Sequence, residues 1–219
     1  MKKYELTSKT IIYLGRTLHR IRALVPFGSV DAGDLGGWIE NENNLGQYDD
    51  AWVYDNARVY DNARVYGNAQ VYGNAQVYED AEVSGNARVS GNAEVYGHAR
   101  VYGDTKVSDH VRVYGNALVG DNAEVYGNAL VYGNAWVCGD ARIFGNASIM
   151  TISHIGSRLE TTTFFALKSG KIGVRCGCFY GDIDQFAAKV EHTHGDNQHG
   201  KAYKLAIELA KLHIQTRKE

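Results

Sequence analysis

The sequence has almost none of the residues that cross-link or interrupt a small fold, with one proline and three cysteines among 219 residues. Cys138, Cys176 and Cys178 are an odd and sparse set, which fits the reducing cytoplasm better than a disulfide scaffold. No apolar stretch reaches ~18 residues, so we expect no transmembrane helix. The first five residues also lack the apolar core of a signal peptide.

The sequence also has little excess of one sign of charge over the other, since its formal net charge is only −2. A sequence-independent grip on nucleic acid or on an anionic membrane needs a basic excess. We therefore expect no membrane partner and consider nucleic acid an improbable one. Within the first 50 residues the charge is uneven: residues 1–30 carry six Lys or Arg against one Glu, and residues 31–50 carry six acidic residues. This asymmetry predicts internal pairing of the two segments, with a basic docking site as the alternative.

The sequence is rich in a six-residue repeat of the form Ala-x-Val-Tyr-Gly-Asn, which runs from Ala51 to Ile149. A large β-branched residue recurs at 17 positions without a break in register, and the residue two before it is Ala except at Thr105 and Val111. β-Branched residues suit extended backbone. Gly, Asn and Asp tolerate the left-handed backbone angles of a tight bend. Each hexapeptide therefore predicts one short strand and one corner, with Val inside the fold.

Three hexapeptides make a triangular coil of 18 residues, and stacked coils share parallel ladders about 4.8 Å apart. The repeats predict nearly six coils, in a prism roughly 27 Å tall on that spacing. The motif resembles the hexapeptide-repeat family, and the left-handed helix sense is implied by that resemblance. We predict a mainly β fold with a left-handed parallel β-helix over residues 51–150, an N-terminal β cap over residues 1–50 and a small C-terminal α+β domain over residues 151–219.

The two ends of the chain have their own secondary-structure signals. In the cap, short strands are predicted at Tyr4 to Leu6, Ile11 to Leu14 and Leu18 to Leu24. After the repeat, a hairpin is predicted from Thr161 to Leu167 and from Lys171 to Tyr180. A helix with an Asp182–Gln185 capping box and a stop at Gly195 follows, then a second helix from about Lys201 to Gln215. The last segment is thus predicted to be a ββαα domain.

Stacking the coils by register brings five tyrosines into one unbroken outward column, namely Tyr60, Tyr78, Tyr96, Tyr114 and Tyr132. Stacked rings stabilise neighbouring coils, and a continuous aromatic stripe is also typical of a self-association or partner surface. The two interpretations are compatible. On another face, Leu118 and Trp136 form an apolar pair that docks either the C-terminal segment or another subunit.

The sequence points to no catalytic residue and to no cofactor. His98 and His110 replace corner asparagines on different corners, whereas a general base needs a second group that holds it in a cleft. A zinc site would draw on Cys176 and Cys178, spaced two apart on a predicted strand, with His192 and His194 as further ligands. The alternative is that both cysteines are simply buried on an apolar strand face.

Three terminal motifs, Leu18–Leu24, Gly33–Glu40 and Cys176–Phe179, resemble uncharacterised hexapeptide-repeat proteins of phages and prophages. Related bacterial proteins are often described as acyltransferases. The resemblance implies a location in the cytoplasm of a bacterial host cell and a homo-oligomer, trimeric in this family. We favour a non-enzymatic structural or interaction protein that binds itself and an unknown partner, because the repeat has no insertion and carries the tyrosine column. The alternatives are an acyltransferase that uses acyl-CoA and a phage protein that sequesters a small ligand such as a signalling nucleotide.

Overall fold

The computed structural model describes residues 2–216, and its centre is a β-solenoid of about six triangular coils. Three parallel sheets form the sides of the prism, and in each sheet a residue pairs with the one 18 positions later, as Val95 does with Val113. The solenoid strands β4–β19 are Trp52–Val53, Arg58–Val59, Arg64–Val65, Gln70–Val71, Gln76–Val77, Glu82–Val83, Arg88–Val89, Glu94–Val95, Arg100–Val101, Lys106–Val107, Arg112–Val113, Leu118–Val119, Glu124–Val125, Leu130–Val131, Trp136–Val137 and Arg142–Ile143. The predicted repeat of strand and corner is confirmed.

The interior of the prism is filled by the repeated valine and alanine side chains, which are buried in every coil. Thr105 replaces one of these alanines, and its hydroxyl donates a hydrogen bond of 2.6 Å to the Tyr102 carbonyl. This bond satisfies a polar group that would otherwise be costly to bury. Val111 replaces another and is likewise buried. The two departures from the repeat therefore preserve the core.

The corners take the left-handed backbone conformation that the Gly-Asn signal predicts, as at Gly97 with φ of 72°. Where Gly is absent, an acidic residue occupies the position, as at Asp121 with φ of 58°. The asparagine after it forms amide hydrogen bonds between coils, such as Asn74 to Asn92 at 3.3 Å and Asn116 to Asn134 at 3.1 Å. The corners thus contribute hydrogen bonds along the stack as well as bends.

The N-terminal segment folds over one edge of the solenoid. Strands β1 (Tyr4–Tyr13) and β2 (Arg16–Ala23) form an antiparallel hairpin, and β3 (Leu35–Ile39) joins β2 to the solenoid. The two short strands predicted before Leu14 are a single strand, because the register merely shifts between Leu6 and Thr10. The hairpin covers a sheet edge that would otherwise present unpaired backbone groups.

The parallel ladder begins ahead of Ala51. Ile39 pairs with Val59, and Leu45 bridges to Val65, each 20 residues away rather than 18. The two extra residues lie between Leu45 and Val53, which are eight positions apart. Ile39 and Leu45 keep the spacing of six, across a short 3₁₀ turn at Glu42–Asn44. Both apolar side chains are buried in the solenoid core.

Charged groups of the two N-terminal segments pair as the sequence predicts, through Lys2 with Glu42 at 2.8 Å and Arg16 with Glu40 at 3.3 Å. Lys3 is buried, and its ammonium donates to three backbone carbonyls, including that of Ala51 at 2.9 Å. Burial lowers the pKa of Lys3 to about 8, although Asp50 and Asp49 act in the opposite direction. The cap is therefore tied to the first coil by polar contacts as well as by its sheet.

The C-terminal domain is one antiparallel sheet with two helices packed on it, as predicted, but its sheet has four strands rather than two. The strands are β20 (Ile149–Ile155), β21 (Glu160–Ala166), β22 (Ile172–Cys176) and β23 (Phe179–Asp182), in that order across the sheet. The sequence did not predict β20, because Ile149 continues the six-residue spacing of the repeat and was counted with the solenoid. The chain nevertheless leaves the solenoid at a 3₁₀ turn, Asn146–Ser148, and Ile149 pairs antiparallel with Phe165.

The two helices are α1 (Ile183–His194) and α2 (Gln198–His213). The capping box of Asp182 with Gln185 and the stop at Gly195 are confirmed. The predicted apolar face of α2 is buried, and its members are Tyr203, Ala206, Ile207 and Ala210. Within residues 2–216, neither helix has the length and apolarity needed to cross a membrane.

Candidate interaction surface

The five tyrosines of the predicted column lie on one side of the prism, in the sheet β3-β5-β8-β11-β14-β17, and their rings stack. Ring centroids of successive members are 4.9–5.4 Å apart, and the ring planes differ by 2–12°. The stacking follows from the repeat, because each tyrosine comes after a valine whose strand pairs in register with the next coil. The ring stacking that the packing interpretation predicts is therefore present along the whole column.

The two ends of the tyrosine column differ. At the N-terminal end, Tyr60 is buried under the hairpin, where the Tyr13 ring meets it edge-on at 5.8 Å and the Arg16 guanidinium lies 5.9 Å away. Tyr78, Tyr96 and Tyr114 are partly exposed. At the other end, Tyr132 is 50 % exposed. The column therefore opens progressively toward the C-terminal domain.

Burial favours the neutral form of the first three tyrosines of the column. It raises the pKa of the Tyr60 and Tyr78 hydroxyls well above the ordinary value, and nearby tyrosines and Glu94 act in the same direction. The same cause raises the pKa of Tyr96. Tyr60, Tyr78 and Tyr96 therefore stay neutral well above neutral pH. The column presents stacked ring faces with hydroxyls at the rim, beside the ion pair of Glu94 with Arg112. Such surfaces are common in protein interfaces.

A shallow cavity of about 330 Å³ lies at the exposed end of the column, between the solenoid and the C-terminal domain. It is lined by Leu130, Tyr132, Ala135, Asn146, Ile149, Met150, Thr151 and His213. His213 is the last residue of α2, so the tyrosine face continues directly into that helix.

Helix α2 carries a second apolar stripe that the sequence analysis missed. Leu205, Leu209 and Leu212 point away from the domain core and are 74 %, 51 % and 86 % exposed. The sequence indicates this stripe by the spacing of the leucines, four and three residues apart, with Ala202 three residues before Leu205. The stripe was not predicted, because the face that contains Tyr203 was sufficient to explain how the helix packs.

Leu118 and Trp136 are paired neighbours on a different side of the prism, the sheet β6-β9-β12-β15-β18, as the register predicts. The C-terminal domain contacts Trp136 of this pair. The Arg175 guanidinium lies 3.6 Å from the Trp136 ring centroid, and the Trp136 backbone amide donates to the Thr163 hydroxyl at 3.0 Å. Two partners were expected for this patch, the C-terminal segment and another subunit, and the C-terminal segment is the one that contacts it.

Of the four candidate zinc ligands, Cys176, Cys178 and His194 line one cavity, and His192 does not line it. Cys176 ends β22, and its sulfur accepts a hydrogen bond of 3.1 Å from Thr162, whereas Cys178 is exposed in the turn that follows. The expectation that both cysteines share a strand face was wrong, since Gly177 adopts a left-handed φ of 54° between them. His192 and His194 lie on the last turn of α1. Within residues 2–216 no three His, Cys, Asp or Glu side chains are arranged to hold a metal ion.

The two histidines of the repeat lie at exposed corners, as expected. His98 Nδ1 is 3.7 Å from the Asp80 carboxylate, and the His98 side chain is 70 % exposed. His110 is exposed at a different corner. Their backbone amides complete the intercoil ladder, with His98 donating to Gly115 and His110 to Gly127.

The parallel ladders, the valine core and the left-handed corners define this chain as a β-solenoid repeat protein. Its repeats are similar to a family described as the YdcK beta solenoid repeat, whose model matches residues 51–67, 57–73 and 123–139. All three matches lie inside the solenoid. No curated protein matches the sequence significantly.

Proposed function

We propose that this β-solenoid is a non-enzymatic scaffold that associates with itself and presents its sides to a partner protein. The observation that carries the proposal is the tyrosine column, which crosses five coils without interruption and stays partly exposed from Tyr78 to Tyr132. Tyrosine is enriched at interfaces, and a contiguous exposed aromatic stripe is uncommon on an isolated monomer. The phage-like terminal motifs favour a phage or prophage origin and a bacterial cytoplasm as the setting.

The leucine stripe of α2 supports self-association independently. Ala202, Leu205, Leu209 and Leu212 have the three- and four-residue spacing typical of a coiled-coil seam. An antiparallel second copy would set Leu205 against Leu209 and Ala202 against Leu212, so the seam is self-complementary, as a two-fold interface requires. Burying each exposed leucine contributes about 1.5–3 kcal/mol. We therefore assign this stripe to a second copy of the chain.

The test is the mass of the full-length protein by light scattering across a concentration series. We expect an oligomer, a trimer where the family resemblance governs assembly and a dimer where the α2 seam does. A monomeric mass at all concentrations would overturn the proposal.

Two variants assign the surfaces. Replacing Tyr96 and Tyr114 together with Ser is expected to weaken association by about ten-fold or more, whereas Tyr72→Ser, a tyrosine at the same repeat position outside the column, is the matched control. Leu205→Lys tests the α2 seam, with the comparably exposed Ile12→Lys as its control. An unchanged mass with a lowered melting temperature in the tyrosine variant would confine the column to packing within one chain.

The structure supports the two alternative functions unequally. The ligand-sequestering alternative gains support from a cleft that Trp136 lines together with residues of the C-terminal sheet. The acyltransferase alternative gains no such support from residues 2–216, because His98 and His110 occupy separate exposed corners.

A further inference from the structure

A cleft of about 490 Å³ lies where the last solenoid coils meet the C-terminal sheet, away from the tyrosine column. Its volume is within the range that accommodates small organic ligands. It is lined by Asn134, Trp136, His154, Arg158, Leu159, Glu160, Thr161, Arg175, Gly177 and Cys178. The cleft exists only because the chain folds its C-terminal sheet back onto the solenoid.

Arg175 is held in place at this cleft by its stacking on Trp136, with 3.6 Å from the guanidinium carbon to the ring centroid. Its Nε is buried and has no hydrogen-bond partner. Within residues 2–216 the guanidinium of Arg175 forms no ion pair. A buried N–H donor without an acceptor is costly unless another group supplies one.

Arg158 provides a second free cation on the same cleft. It is exposed in the loop between β20 and β21, and its guanidinium has no hydrogen bond or ion pair in the described part of the chain. Glu160 is the one acidic residue among the lining side chains, and neither arginine lies within ion-pair distance of it. Two unpaired guanidinium groups therefore face the cleft together. Guanidinium groups bind carboxylate and phosphate through paired N–H donors.

The remaining walls are suited to the uncharged part of a ligand. The Trp136 indole and the Leu159 side chain are apolar, and Asn134 and Thr161 are polar without charge. His154 and Cys178 also line the cleft. Small-molecule sites commonly combine such an apolar wall with a few convergent polar groups.

We propose that this cleft binds a small organic anion, whose carboxylate or phosphate group is held by Arg158 and Arg175 while its apolar part rests against Trp136 and Leu159. The proposal is independent of the oligomeric scaffold, since none of its residues belongs to the tyrosine column or to the α2 stripe.

The test is calorimetric titration of the full chain at low salt with AMP, inorganic phosphate, phenylacetate and adenosine. Binding of AMP and phosphate identifies a phosphate ligand, and binding of phenylacetate alone identifies a carboxylate. Adenosine, which lacks the anion, is expected to bind at least ten-fold more weakly than AMP, about the contribution of one charge-assisted hydrogen bond. Equal binding of adenosine and AMP, or no binding of any anion, would overturn the proposal.

Variants assign the two arginines. Arg175→Met and Arg158→Met are each expected to weaken binding by about 10- to 100-fold, and Glu160→Gln to strengthen it by removing a repelling carboxylate. The matched control is Arg64→Met, since Arg64 also lies over an aromatic ring, that of Tyr66 at 5.5 Å, on the same side of the solenoid but four strands away. Arg158 is in an exposed loop, so its variant remains informative if Arg175→Met unfolds the domain. Equal losses in the Arg64 variant would show non-specific attraction and contradict the site.

Discussion

The carboxylate of Asp121 accepts a hydrogen bond of 2.9 Å from the backbone amide of Gly139, which lies 18 residues further along the chain and one coil higher. Asp121 stands at a left-handed corner where Gly is otherwise the rule. The same bond is made at four further acidic corners, Asp55, Asp61, Glu79 and Asp109. An acidic corner therefore accepts some backbone strain and gains a bond between coils.

Asp121→Ala is expected to lower the free energy of unfolding by about 2 kcal/mol, because it removes the hydrogen bond and keeps a side chain at positive φ. Asp121→Gly removes the same bond but relieves the strain, so we expect a loss of about 1 kcal/mol. Urea unfolding followed by circular dichroism measures both. Ala and Gly variants of equal stability would contradict this account of the corner.

Glycine corners stacked on one another are expected to differ from the last corner of the stack. A Cβ added at Gly97 would lie 2.8 Å from the backbone nitrogen of Gly115, whereas one added at Gly133 meets nothing within 4 Å. Both residues have positive φ, of 72° and 65°. Gly133→Ala should therefore cost only the strain of about 1–2 kcal/mol, and Gly97→Ala should cost clearly more, because backbone in the next coil must shift.

The comparison of these two variants by thermal unfolding isolates the steric part, since the backbone strain is common to both. Equal losses would mean that the coils separate enough to admit a methyl group.

Alkaline pH is expected to destabilise the fold through its buried tyrosines. Burial raises the pKa of Tyr4, Tyr60, Tyr78 and Tyr203 above the unfolded value of 10.0. Between the unfolded and folded pKa values the native state binds more protons than the unfolded state. The stability that these tyrosines contribute is therefore fully present below about pH 10 and is lost as pH rises above it. The melting temperature should drop over this range.

The absorbance of tyrosinate at alkaline pH, recorded together with circular dichroism, checks this prediction. Ionisation of the buried tyrosines should accompany unfolding, and Tyr60→Phe should reduce the dependence of the melting temperature on pH. Complete ionisation near pH 10 in a folded protein would contradict it.

The coils could be read from the sequence because every residue of the repeat has a local reason for its place. Val favours extended backbone, and Gly or Asp tolerates the left-handed corner, so a constant period of six imposes the ladder. The stacking of Tyr60 to Tyr132 then follows from register alone. The helices were also accessible, because the Asp182 capping box and the Tyr203 face of α2 are local patterns.

The other features depend on contacts between segments far apart in the chain. Ile39 and Leu45 lie 20 rather than 18 residues before their partners, because the segment between Leu45 and Val53 is two residues longer than a repeat. Ile149 leaves the ladder while still in register, because Phe165 offers an antiparallel partner. The meeting of Arg175 with Trp136 requires the C-terminal sheet to fold back onto the solenoid. A period reports the conformation of each repeat, whereas the packing of two separate elements depends on their combined shapes and charges, which no local pattern encodes.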